Sequence, residues 1–74
     1  MEIGHLRQQG PSRFGGTLKS PGAGPGADFD GPTVREAQMA AISVAEKLGW
    51  RTPFRWDGPD EAGGYLVSAA PPPT

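Results

Sequence analysis

The stretch Thr33–Trp50, TVREAQMAAISVAEKLGW, constrains the chain more than any other. It alone joins a start signal, a periodic body and a stop signal. Thr33 and Glu36 have the N-cap and N3 spacing of a capping box, in which the threonine hydroxyl accepts an orphan backbone N–H of the first turn. Asp28 and Asp30 lie just upstream, where negative charge suits a helix N-terminus. Val34, Ala37, Ala41, Val44, Ala45 and Leu48 recur on one side of a 3.6-residue repeat, and Arg35, Glu36, Met39, Ser43, Glu46 and Lys47 lie mostly opposite. Gly49 can take the left-handed conformation that closes a helix. The spacing predicts an amphipathic helix over residues 33–48, with an inner face of small residues.

After Gly49 the period changes. Phe54 and Trp56 alternate with Arg55, the mark of a half-buried strand, and Pro53 either demotes its start to an edge position or lies before the strand proper. Tyr65-Leu66-Val67-Ser68-Ala69 reads as its partner. The connection from Asp57 to Gly64 is too long for a two-residue turn, and Pro59-Asp60-Glu61 has the composition of one helical turn. The expected fold is therefore small α+β. A two-stranded antiparallel hairpin, about 52–57 and 64–69, packs on the helix's alanine face, and residues 2–7 are a candidate third strand, because a lone hairpin is marginal in water.

Residues 1–32 read as an extended arm or linker. Twelve glycines and nine prolines stand among 74 residues, and most crowd Gly10–Pro32 and the tail at Pro71–Pro73. Glycine loses the most entropy on ordering and proline removes a backbone donor, so this arm is not expected to hold a regular ladder. Its apolar residues Phe14, Leu18 and Phe29 read as pegs that pin it to a surface, its own or another's. The organisation expected is an arm at 1–32, a helix-plus-hairpin unit at 33–70 and a proline-rich tail at 71–74. Such a unit has a thin core. It lacks cysteine, so no disulfide can staple it, and oligomerisation or a partner surface is the remaining support.

The formal net charge is −1. It gives no long-range preference for nucleic acid or an anionic membrane. Within residues 1–27, Arg7, Arg13 and Lys19 outweigh Glu2, and the rest of the chain is acidic. No apolar run approaches the roughly 18 residues that suggest a bilayer span. MEIGHLRQQG lacks the apolar core of a secretory signal. The expected location is the cytoplasm or the inside of an assembly such as a virion.

No catalytic, metal or cofactor signature emerges. His5 is the only histidine, and a metal or acid–base role would need carboxylates brought from the far end of the chain. Gly22, Gly24 and Gly26 lack the flanking strand, helix and Lys-Ser/Thr pair of a phosphate-binding loop, and Pro21 and Pro25 interrupt them. The carboxylates around Asp28–Asp30 and Asp57–Glu61 lack the ligand spacing of a calcium loop and fit acidic turns. Trp50, Arg51, Phe54, Arg55 and Trp56 mix rings with cations as single-stranded nucleic-acid sites do, but alternation sends Phe54 and Trp56 away from Arg55.

Aromatics and arginines are also enriched at interface hot spots. The expected function is thus non-catalytic: a minor subunit docking on a larger assembly, of which a virion or phage decoration subunit is one form. Its binding residues would be Phe14, Leu18, Phe29, Trp50, Arg51, Arg55 and Tyr65. A small regulator or inhibitor of one protein target is the alternative, and a single-stranded nucleic-acid accessory protein the next.

Overall fold

The computed structural model describes residues 1–22 and 24–70; the tail at 71–74 and Ala23 of the linker lie outside the described residues. The chain is α+β, with strands β1 (Glu2–Gly10), β2 (Arg13–Leu18) and β3 (Ala27–Gly31), helix α1 (Val34–Leu48), then β4 (Arg51–Asp57) and β5 (Tyr65–Ala70). All five strands form one sheet in the order β3-β2-β1-β5-β4, and every neighbouring pair is antiparallel.

The expected hairpin is present as β4 and β5, but it is one end of a larger sheet. The candidate strand at 2–7 extends to Gly10 and takes the centre. The arm expected at 1–32 is corrected: most of it is β1, β2 and β3. The reason is close packing of backbone. A Cβ at Gly15 would run into the Phe29 carbonyl, and one at Gly16 into the His5 carbonyl. Glycine here lets three strands approach, a use of glycine inside strands that composition does not distinguish from a linker. Pro11 and Ser12 connect β1 to β2. Proline holds φ near −65°, so this turn cannot be a primed hairpin turn. A register shift between Gln8 and Gly10 takes up the mismatch. The Gly/Pro-rich stretch that does remain outside the strands is the connection from Lys19 to Gly26.

The helix forms as its signals require. The Thr33 hydroxyl accepts the Glu36 backbone N–H at 3.1 Å. At the other end Gly49 is left-handed, with φ 107°. Its N–H donates to the Glu46 carbonyl, and the Trp50 N–H donates to the Ala45 carbonyl. This is the paired closure of a Schellman motif. Ala37, Ala41 and Ala45 are buried, and α1 lies closest to β3 and β2, touching β4 only marginally. The alanine face therefore packs on the strands of the supposed arm and not on the β4–β5 hairpin. At Gly31 the β3 backbone is so near the helix that an added Cβ would sit 2.6 Å from the Ala37 nitrogen.

The core lies between sheet and helix. Ile3 and Leu6 come from β1, Leu18 from β2, Phe29 from β3, Val67 and Ala69 from β5, and Trp50 from the helix exit. Among the described residues every buried side-chain nitrogen or oxygen has a hydrogen-bond partner.

Candidate functional site

Sheet register sorts the remaining side chains by face. Trp56 pairs with Val67, and Tyr65 pairs with Leu6, so both rings share the helix side with buried core residues. Phe54, two residues before Trp56, packs against the same core. Because α1 sits over the β2–β3 half, these three rings are only half-buried. They form an aromatic row on the half of the sheet that the helix leaves open.

The opposite face has no helix and is polar. Thr17 donates to Asp28 at 2.7 Å, Arg13 pairs with Asp30 at 3.1 Å, and Arg55 pairs with Asp57 at 3.4 Å. These are exposed pairs, worth little individually to stability. Leu66 interrupts the polar face and is 38% exposed.

The expected binding residues do not form one surface. Leu18, Phe29 and Trp50 are core; Trp50 is 4% exposed and its indole N–H donates to the Lys19 carbonyl at 2.7 Å. They anchor the chain to itself and offer nothing to a partner. Phe14 is half-buried against the core at the other end of the sheet from β4. Arg51 and Arg55 are exposed on edge strand β4, paired with Ala70 and Ser68 respectively. Arg55 faces away from Trp56, its neighbour in the strand. Tyr65 is not beside Trp50: it starts β5, while the chain enters β4 next to Ala70, five residues along. Five strand residues span roughly 17 Å.

The loop between β4 and β5 holds an arrangement that no local sequence signal announces. The segment at 59–61 is not a helical turn. Instead the Asp60 carboxylate organises the loop: Oδ1 accepts the Ala62 N–H at 2.9 Å and the Gly64 N–H at 2.8 Å. The Asp60 N–H donates to the Gly64 carbonyl, and the Gly63 N–H to the Asp60 carbonyl. Oδ2 stands 3.7 Å from His5 Nε2. The Gly64 N–H lowers the Asp60 pKa most; desolvation opposes it, and the Ala62 N–H and His5 add to the lowering. His5 sits in the central strand, and Arg7 Nε donates to its Nδ1 at 2.9 Å. The available clue was alternation, since His5 and Arg7 share a strand face; nothing local brings Asp60 to them.

Both imidazole nitrogens face charged side chains, Arg7 at Nδ1 and Asp60 at Nε2. Among the described residues no group of three or more His, Asp or Glu side chains is placed to hold a metal ion, and no helix is long and apolar enough to cross a membrane.

In comparisons with known proteins, no family model, no curated protein and no solved structure matches the chain.

Proposed function

We propose that this is a non-catalytic interaction protein, a small subunit that docks on a protein partner through its β4–β5 hairpin. The observation that carries the reading is the half-buried row of Phe54, Trp56 and Tyr65 beside a helix that covers the other half of the sheet. Rigid aromatic side chains on a sheet give large contact area at low entropic cost and dominate interface energetics. Arg51 and Arg55 stand exposed on the adjoining edge. The partner surface that fits is an apolar patch with carboxylates at its rim, where charge adds orientation and association rate more than affinity. Pro53 lacks a backbone donor, so side chains, and not strand addition, make the contact. Docking through the Gly/Pro-rich segment is not part of this reading, because its apolar side chains serve the core.

A nucleic-acid reading is less well supported. Rings and guanidinium groups lie on opposite sides of β4, and Arg55 already pairs with Asp57. Stacking with simultaneous phosphate contact needs both on one surface.

Site-directed photo-cross-linking tests the proposal. A photoactivatable phenylalanine analogue replaces Tyr65 in the full chain, and in a control it replaces Met39 on the exposed helix face. A discrete protein adduct at position 65, absent at 39 and lost when Trp56→Ser is added, supports hairpin docking. An adduct of twice the chain mass identifies a second copy as the partner. Equal labelling from both positions, or none from 65, overturns the proposal.

A further inference from the structure

The loop joining β4 to β5 touches the central strand through one titratable contact. Arg7 Nε is always a donor, so the His5 Nδ1 it binds at 2.9 Å is an acceptor. The imidazole is therefore neutral, with its proton on Nε2, facing Asp60 Oδ2 at 3.7 Å. That distance is too long for a hydrogen bond. Asp60 meanwhile keeps its other oxygen on the loop's own Ala62 and Gly64 amides. Gly64 lies between the two groups: an added Cβ would stand 3.1 Å from Asp60 Oδ2 and 3.3 Å from His5 Nε2.

We propose that His5 and Asp60 form a proton-operated latch between β1 and the Gly58–Gly64 loop. When His5 takes a proton on Nδ1, this nitrogen becomes a donor and meets the Arg7 Nε–H head on. The Arg7 bond breaks and the guanidinium swings into solvent. The imidazolium now carries a positive charge beside the Asp60 carboxylate, and the 3.7 Å gap closes to a charge-assisted hydrogen bond. The loop is drawn onto the central strand, tightening the start of β5 where Tyr65 sits.

The groups facing His5 favour this direction. On its own strand only Arg7 opposes the added charge. Across β1–β2 the neighbour is the neutral Thr17, whose hydroxyl donates to Asp28 of β3. Across β1–β5 the neighbour is Leu66, behind which Asp57 of β4 stands paired in register. From the loop comes Asp60. The helix packs on the other face of the sheet and contributes nothing here. Histidine is the side chain suited to such a proton-driven change of charge. It does not depend on the docking proposed above.

The test is an NMR titration of the full chain, following the His5 ring, the Arg7 Nε–H and the Ala62 and Gly64 amides together. Protonation of His5 is expected to abolish protection of the Arg7 Nε–H. It should slow exchange of the two loop amides by about tenfold after correction for intrinsic pH dependence. Asp60→Asn keeps a side-chain carbonyl for the loop but removes the charge; His5→Gln leaves the loop's internal bonds intact. Both variants are expected to remove the pH dependence of the loop amides. The proposal is overturned if His5 titrates while the Arg7 Nε–H and loop amides stay unchanged, or if the loop response persists in His5→Gln.

Discussion

The Trp50 indole N–H donates to the Lys19 carbonyl at 2.7 Å, tying the helix exit to the end of β2 across 31 residues of sequence. This bond lets the largest side chain of the core bury its only polar atom without penalty. It also fixes where β4 starts, since Arg51 follows directly.

Trp50→Phe should therefore cost more than the area it removes. The ring still fills most of the site, but the partly buried Lys19 carbonyl loses its donor. The expected loss is about 1–3 kcal/mol, read from chemical denaturation. Trp50→Ala, which also opens a cavity, should cost about 3–5 kcal/mol.

Glycines that look alike in sequence should separate sharply on substitution. Gly16→Ala drives a methyl group into the His5 carbonyl, whereas Gly22 has nothing within 4 Å of its added Cβ. Gly16→Ala is expected to lower stability by about 1–3 kcal/mol or more. Gly22→Ala should stay within about 0.5 kcal/mol of the parent. Equal effects in thermal melts would refute the close strand packing described here.

Gly49 sits at φ 107°, a conformation that L side chains rarely adopt, although Pro21 leaves room for a methyl group at 3.6 Å. Gly49→Ala thus measures backbone strain alone. It is expected to cost roughly 1–2 kcal/mol, with fraying of the last helical turn visible in amide exchange.

Asp60 supplies a pH prediction. Its carboxyl is held below the ordinary range, chiefly by the Gly64 N–H. A depressed pKa gives stability that is present above the unfolded value of about 3.9 and disappears as pH falls through the folded value. Denaturation midpoints of the parent and Asp60→Asn should differ at pH 7 and draw together below about pH 4. A gap that stays constant from pH 7 to 3 would separate Asp60's role from its charge.

The helix and the β4–β5 strands were legible because their signals are local: a cap three residues from its donor, a glycine stop, and aromatics at alternate positions. The three N-terminal strands were not. Gly15 and Gly16 serve contacts with Phe29 and His5, so their meaning is set by residues 11 to 14 positions away. The same distance effect turned Leu18, Phe29 and Trp50 from expected binding residues into core. Periodicity assigned Phe54 and Trp56 to one face, but it could not tell that the helix would settle on β2 and β3. The Asp60–His5 contact spans 55 residues and left no local trace.

The position of β5 between β1 and β4 also sets a schedule for synthesis. The ribosome delivers β5 last of the five strands, after both of its neighbours. Until Tyr65–Ala70 emerges, β4 has no partner, and the inner edge of β1 is open to any strand that reaches it first. The nascent chain can assemble β1, β2, β3 and the helix in order of appearance, but the sheet closes only when its final strand is inserted. Until Tyr65–Ala70 is in place, the facing edges of β1 and β4 are both uncovered and open to pairing with other strands.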